Sequence, residues 1–191
     1  FNFSKYDIEQ ATQKVKDYCH NNRYFLVVSS NARHKNLDRI LDAFNIFCNN
    51  NQTIKLLFIG KITGYVEEKY NTLSTQVQNR ISNMYNISNA DLGYLYMHAN
   101  AFISATLFEG LGMPIVEALY FNTPALVSNI DVVKEVTLGK AEYFAPNDIY
   151  SLAKLMQSKV QSIKLNTSND IKKTYSTQNT VAKYIDLLNN I

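Results

Sequence analysis

The sequence predicts an α/β fold: a doubly wound parallel β-sheet with helices on both faces and further helices at the C-terminus. Short runs of apolar, β-branched and aromatic residues alternate with segments whose apolar residues recur at helical spacing. The apolar runs are continuous, which is typical of parallel strands buried on both faces. Alternation of strands with helices favours βαβ units over an antiparallel sheet.

Strands are predicted at the apolar runs, beginning with Tyr24-Phe25-Leu26-Val27-Val28-Ser29. The second run ends at Gly60, and the third is weaker than the others. The predicted strands cover residues 24–29, 54–60, 80–84, 101–104, 124–128 and 143–144. This order of elements predicts a Rossmann-like sheet that binds ligands beyond the carboxyl ends of its strands.

Helices are predicted wherever apolar residues return every three or four positions, as Leu37, Ile40, Leu41 and Phe44 do behind the N-cap candidate Asn36. The predicted helices cover residues 37–48, 66–77, 92–99, 114–120, 132–136, 149–163 and 181–188. The polar stretch 166–170 is predicted to be a loop between the last two helices.

Composition favours a folded domain, and we expect residues 1–191 to form a single one. The chain is 46% hydrophobic and 18% charged, and its formal charge is +3, which argues against disorder and predicts no nucleic-acid partner. No apolar stretch approaches the roughly 20 residues that span a bilayer. Cys48 lies on an apolar helix face, so we expect a buried thiol and a cytoplasmic protein. The first residue is Phe1, which suggests a fragment of a longer protein.

The segment from Glu109 to Glu117 is the most informative of the chain, because two glycines and a proline lie between two carboxylates. Its order predicts a strand, a glycine-rich turn and a helix, with backbone N–H groups of Gly110 and Gly112 near a phosphate. Carboxylates accept hydrogen bonds from sugar hydroxyls. The alternatives are a tight turn without a ligand, and for Glu117 a solvated surface glutamate.

A second polar loop, residues 29–36, follows the first strand and is expected at the same edge of the sheet. Its cations Arg33 and Lys35 suit a diphosphate, whose negative charge grows as a glycosidic bond breaks. The alternative is an ordinary solvated loop. No His, Cys and Asp spacing predicts a metal site. Together the two loops suggest a pocket for a sugar nucleotide.

Residues 104–119 resemble the signature of family 4 retaining glycosyltransferases, and so do residues 122–129 with Glu135 beyond them. The Arg33-His34-Lys35-Asn36 loop and the helix after it resemble the first loop and helix of that family's donor domain. The resemblance extends from about residue 24 to the end of the chain. It implies the C-terminal, donor-binding half of a two-domain GT-B enzyme, whose N-terminal acceptor domain is absent from this chain.

The resemblance also implies roles for individual residues. Catalytic roles fall to Glu109, beside the donor sugar, and to Lys35 and Arg33 at the diphosphate, with Ser30 at the position where the family usually has arginine. Glu117 would accept hydrogen bonds from ribose. The residues implied to bind the donor nucleotide are Glu117, Gly110, Leu111, Gly112, Ser29, Ser30, Met84 and Ile87, the last two bounding the base pocket.

These observations predict transfer of a hexose, with mannose favoured, from a UDP- or GDP-sugar to a surface polysaccharide such as O-antigen or capsule, or to a lipid-linked glycan. Neither a cofactor nor a metal is expected. We expect action in the cytoplasm or at the inner face of a bacterial membrane, with peripheral association, and little transfer by this fragment alone. The alternatives are a sugar-nucleotide epimerase of the same fold and a non-catalytic nucleotide-sugar-binding subunit.

Overall fold

The computed structural model describes residues 5–161, 164–176, 178–179 and 185. Their strands form a six-stranded sheet in which every pair of neighbours is parallel, in the order β3-β2-β1-β4-β5-β6. The strands are β1 (Arg23–Val28), β2 (Ile54–Ile59), β3 (Ile81–Met84), β4 (Ala101–Ser104), β5 (Ala125–Ser128) and β6 (Glu142–Phe144). The predicted α/β fold with a doubly wound parallel sheet is confirmed.

The helices connect the strands and cover both faces of the sheet. They are α1 (Gln13–Asn21), α2 (Leu37–Cys48), α3 (Tyr65–Asn71), α4 (Thr75–Gln78), α5 (Asn89–His98), α6 (Met113–Tyr120), α7 (Asp131–Thr137), α8 (Ile149–Ser158) and α9 (Ser168–Tyr175). On one face α2 packs against α3 and α8, and on the other α5 packs against α1 and α6, which also contacts α7 and α9. Each face has its own apolar core.

Two helix predictions and one loop prediction need correction. The predicted helix at 66–77 is two helices, α3 and α4, because the chain turns at residues 72–74 and Ser74 caps α4 by accepting a hydrogen bond from the Val77 amide. The predicted loop at 166–170 is wrong, since α9 begins at Ser168. The helix predicted at 149–163 ends at Ser158.

One further helix was not predicted, and one prediction falls largely outside the described residues. Helix α1 lies before the first predicted strand, where no element was predicted. The helix predicted at 181–188 lies outside the described residues except for the helical, exposed Ile185. Cys48 is a free thiol that is half-buried, and burial raises its pKa to about 11.

The sheet positions the site through its order. The chain moves outward from β1 to β3 on one side, then returns through α5 to place β4 on the other side of β1. The loops after β1 and β4 therefore leave neighbouring strands at the carboxyl edge, at the point where the strand order reverses and where open α/β sheets bind their ligands. Among the described residues, none of the helices combines the length and the apolar character that crossing a membrane requires.

Candidate functional site

Lys35 and Glu109 lie together at the carboxyl ends of β1 and β4, where the strand order of the sheet reverses, although they are separated by 74 residues in the chain. The ammonium of Lys35 donates hydrogen bonds to both carboxylate oxygens of Glu109, at 2.8 Å to Oε1 and 2.7 Å to Oε2. The two side chains are 21% and 12% exposed, so the pair is accessible at one side. They also line a common cavity with Ser29 and Pro114. A cation and a carboxylate thus meet where the two predicted loops converge.

The loop after β1 presents Lys35 from a single 3-10 turn, Arg33–Lys35. The Lys35 amide donates to the Ala32 carbonyl at 2.9 Å. Asn36 then adopts a left-handed conformation with φ of 56° and begins α2, and its side chain donates to the Pro146 carbonyl instead of capping the helix. Asn36 is therefore the N-cap residue by position, and its amide anchors the turn to the loop before α8.

The loop after β4 is tied to the same turn by its backbone. The Leu107 amide donates to the His34 carbonyl at 2.7 Å. The hydroxyl of Thr106 lies 3.2 Å from that carbonyl and 2.7 Å from the Phe108 carbonyl. These contacts hold the loop that carries Glu109 against the turn that carries Lys35.

The two glycines of the glycine-rich turn differ in backbone conformation and in the space around them. Gly112 has φ of 68°, in the left-handed region, and begins α6. Gly110 has no such constraint, and a Cβ built there meets nothing within 4 Å. Leu111 between them is 42% exposed. Local conformation explains the glycine at 112, whereas the open space beside Gly110 leaves room for a ligand near the backbone.

Ser29 and Ser30 follow β1 directly, at the same edge. The Ser29 amide donates to the Ile59 carbonyl at 3.1 Å, and its hydroxyl donates to the Ser30 carbonyl at 2.9 Å. Gly60 is required opposite them, because a Cβ there would stand 2.3 Å from the Ser29 carbonyl oxygen. Ser29 lines the cavity shared with Lys35 and Glu109, and Ser30 is exposed.

Arg33 is not part of the Lys35–Glu109 pair. It is exposed, and its guanidinium lies 5.0 Å from the centroid of the Tyr65 ring at the start of α3. This distance is within the range of a cation–π contact. Arg33 therefore rests on the neighbouring element, with its charge at the carboxyl edge of the sheet.

Glu117 lies inside the protein, which corrects the alternative of a solvated surface glutamate. It is 5% exposed, and its carboxylate accepts hydrogen bonds from Tyr96 at 3.0 Å and from Tyr6. Lys5 lies 3.5 Å from the same carboxylate. Burial, and then the hydrogen bond to Glu117, raise the pKa of Tyr6, while burial and the charge of Glu117 raise that of Tyr96, so both hydroxyls remain donors.

Met84 and Ile87 line a second cleft, of about 440 Å³, at the end of β3. Its other lining residues come from the loop between them and from the starts of α1 and α5, namely Thr12, Lys14, Val15, Asn83, Tyr85, Asn86 and Asp91. The Met84 carbonyl accepts a hydrogen bond from the Gly60 amide at 2.9 Å. Tyr85 is 56% exposed, with the Lys61 ammonium 5.9 Å from its ring centroid.

Sequence reasoning missed Tyr6, Tyr96 and Thr106. Tyr96 lies on the apolar face of a predicted helix, so its pattern indicates only burial, and Tyr6 precedes every predicted element. Thr106 lies three residues before Glu109, inside the segment 104–119, and this position is the signal in the sequence that could have identified it. In the described part of the chain, no group of three or more His, Cys, Asp or Glu residues is placed to hold a metal ion.

The curated relatives include two kinds of mannosyltransferase. The chain is 27% identical over 140 residues to the O-antigen chain mannosyltransferase RfbU of Salmonella typhimurium, covering 73% of this chain and 38% of the relative. It is 30% identical over 130 residues to the serotype-specific mannosyltransferase WbdA of Escherichia coli, covering 65% of this chain and 16% of the relative. The chain thus spans well under half the length of these relatives.

The fold is also found among solved structures. The sucrose-phosphate synthase of Thermosynechococcus elongatus superposes with a TM-score of 0.73 at 16% identity, covering 94% of this chain and 49% of that one. Residues 9–174, most of the chain, match the family described as glycosyl transferases group 1. By that match, which includes both loops of the candidate site, the chain belongs to the glycosyl transferases group 1 family.

Proposed function

We propose that this chain is the donor-binding part of a retaining glycosyltransferase and that the Lys35–Glu109 pair contacts the donor where its sugar joins the diphosphate. The single observation that supports this most is the meeting of these side chains, 2.7 Å apart, at the reversal point of the sheet. Membership of the glycosyl transferases group 1 family gives the pair its chemistry.

The reaction breaks the bond between the anomeric carbon of the sugar and the diphosphate oxygen, and the electron pair leaves with the diphosphate. Lys35 and the backbone amides of Gly110, Leu111 and Gly112 stabilise the growing negative charge on the leaving group. Arg33 contributes a further positive charge at this edge. The Glu109 carboxylate stabilises the positive charge that develops on the sugar.

A donor that reaches from this pair to the base pocket must cross from the loop of β1 to the end of β3. These strands are two positions apart in the sheet, so their ends are about 10 Å apart at usual strand spacing. The cleft of about 440 Å³ beside Met84 and Ile87 then receives the nucleobase. Glu117, already holding two tyrosine hydroxyls, is assigned to the ribose on family resemblance.

We propose GDP-mannose as the donor, ahead of UDP-hexoses, because two relatives are named as mannosyltransferases, one of them of the O-antigen chain. The acceptor would be an O-antigen-like or lipid-linked glycan at the cytoplasmic face of the membrane. The proposal keeps the expectation, which the family resemblance implies, that transfer needs no metal.

The test is a calorimetric and thermal-shift panel of GDP-mannose, UDP-glucose, ADP-glucose and CMP-sialic acid on the chain. A ligand that binds only the folded state raises the melting temperature. At a ligand concentration of 100 times its Kd, the free energy of unfolding rises by about 2.7 kcal/mol. We expect a nucleotide diphosphate sugar to bind and CMP-sialic acid not to bind. Failure of every nucleotide sugar to bind would reject the proposal.

The variant Lys35→Ala identifies the diphosphate contact. Loss of a charge-assisted hydrogen bond costs about 1.5–3 kcal/mol, so we expect donor affinity to fall about 10- to 100-fold. The matched control is Lys140→Ala, which breaks an ion pair with Asp170 of the same 2.7 Å length. Lys140 lies between α7 and β6, at the opposite edge of the sheet. Equal affinities of Lys35→Ala and the control would contradict the role of Lys35.

A further inference from the structure

The buried hydroxyl of Thr106 contacts both functional loops, the loop after β4 in which Thr106 lies and the loop after β1. Thr106 is 0% exposed and follows closely on β4, which ends at Ser104. Its Oγ1 lies 2.7 Å from the Phe108 carbonyl and 3.2 Å from the His34 carbonyl. A buried hydroxyl without partners is costly, so these two contacts determine the orientation of the side chain.

The two carbonyls belong to the peptide groups that lead into the functional residues. The Phe108 carbonyl shares a planar peptide group with the Glu109 amide, and the His34 carbonyl shares one with the Lys35 amide. Holding a carbonyl oxygen fixes the plane of its peptide group, and therefore the direction in which the next side chain leaves the backbone. The Thr106 hydroxyl thus contacts the peptide group before Glu109 and the peptide group before Lys35.

We propose that Thr106 is a positioning residue that sets the placement of Lys35 relative to Glu109 for a donor diphosphate, which rests on the function proposed above. Its hydroxyl has one proton, which it donates to the Phe108 carbonyl, the nearer acceptor. The Leu107 amide supplies the other link, to the His34 carbonyl at 2.7 Å. Without the hydroxyl, the Phe108 carbonyl loses its donor and the turn that carries Glu109 is released.

The test compares Thr106→Val, which keeps the shape and removes the hydroxyl, with Thr106→Ser, which keeps the hydroxyl. Because the released turn no longer holds the Lys35–Glu109 pair in place for the diphosphate, we expect Thr106→Val to weaken binding of a nucleoside diphosphate by about 10-fold. Thr106→Ser should restore most of that affinity. Binding of the matching nucleoside, which has no phosphate, should change less than twofold in both variants.

The matched control is Thr137→Val. Thr137 is also 0% exposed, and its hydroxyl donates to the Val133 carbonyl at 2.8 Å within α7. The Thr137→Val variant should lose thermal stability, as Thr106→Val does. Its affinity for the nucleoside diphosphate should equal that of the unmodified chain. If Thr106→Val does not fold, Thr106→Ala takes its place in the comparison.

The double variant Thr106→Val with Lys35→Ala distinguishes positioning from a general loss of structure. If Thr106 acts by placing Glu109 and Lys35 relative to each other, Thr106→Val adds less than twofold to the loss caused by Lys35→Ala. Unchanged affinity in Thr106→Val, or a loss that is fully additive in the double variant, overturns the positioning role while leaving the function intact. If Lys35→Ala itself binds normally, the diphosphate assignment fails and the role of Thr106 fails with it.

Discussion

Gly110 and Gly112 are two residues apart in the turn beside Glu109, yet only one of them is required by the backbone. At Gly112 the positive φ and the contacts that a Cβ would make, 3.0 Å to Ile115 and 3.2 Å to Glu109, both exclude a larger side chain. At Gly110 neither reason applies. Because the backbone gives no reason for glycine at 110, the proposed site supplies one, namely that a donor phosphate would approach the backbone closely there.

The pair Gly110→Ala and Gly112→Ala separates these explanations. We expect Gly112→Ala to lower the free energy of unfolding by about 1–2 kcal/mol, because a left-handed alanine is strained. Gly110→Ala should change stability by less than about 0.5 kcal/mol. It should nevertheless weaken donor binding several-fold, since the added methyl holds the phosphate away from the amides. Chemical denaturation and calorimetry measure the two effects, and full donor affinity in Gly110→Ala would contradict the phosphate contact.

At the scale of elements, the junction of α1 with α5 depends on Asp91. This residue is 5% exposed, and its Oδ1 accepts hydrogen bonds from the Thr12 amide at 2.7 Å and the Thr12 hydroxyl at 2.9 Å. Burial acts to raise the pKa of Asp91, but the hydrogen bonds from Thr12 and Ser88 lower it below its usual 3.8. One carboxylate therefore joins the N-termini of two helices beside the cleft at β3.

The lowered pKa determines the direction of a pH effect. Because the folded-state pKa of Asp91 lies below the unfolded value, its stabilisation is present above about pH 4 and is lost as pH falls through the folded pKa. We expect Asp91→Asn to reduce stability at pH 7 by about 1–3 kcal/mol and to flatten the decline below pH 4. Melting curves from pH 2 to pH 7 measure this.

The control for that experiment is Asp17→Asn. Asp17 lies on α1, the helix whose N-cap residue Thr12 contacts Asp91, but it is exposed, and its carboxylate accepts a hydrogen bond from the Gln13 side chain at 2.8 Å. It should leave the melting curves nearly unchanged. If Asp91→Asn shows the same acid decline as the unmodified chain, Asp91 does not couple protonation to the docking of α1.

At the scale of the whole molecule, stability is expected to fall from the middle of the sheet to its edges. Strand β1 pairs on both sides, with β2 and β4, and four of its six residues are buried. Strand β3 is at the edge, and none of its residues is fully buried. Amides that exchange only through global unfolding should therefore concentrate in the central strands.

Hydrogen exchange measured by mass spectrometry tests this gradient. We expect peptides from β1 to exchange slowest and peptides containing β3 and the following loop to exchange much faster. Donor binding should protect the loop after β3 and the turn at Arg33–Lys35, since the donor as proposed would contact both. Equal protection of β3 and β1 in the free chain would contradict the gradient.

Periodicity alone was sufficient for the parallel α/β fold and for the meeting of Lys35 with Glu109. Both follow from local rules: continuous apolar runs indicate buried parallel strands, and loops after parallel strands share one edge. The strand Ala101–Ser104 was predicted to the residue. The helices α1 and α9 were not predicted, because both are largely polar overall. Each buries one apolar residue, Val15 or Ile171, and packs against α5 or α6 in the folded protein.

By itself, therefore, the sequence determined the six strands, the parallel sheet they form and the two charged loops at its carboxyl edge. Only the tertiary structure decided which partner each polar group takes. Glu117 lies against Tyr6 and Tyr96, Arg33 over Tyr65, and Thr106 between two backbone carbonyls. The physical reason is range: burial patterns repeat every two to four residues, whereas Tyr6 and Glu117 are 111 residues apart and meet only in the folded core.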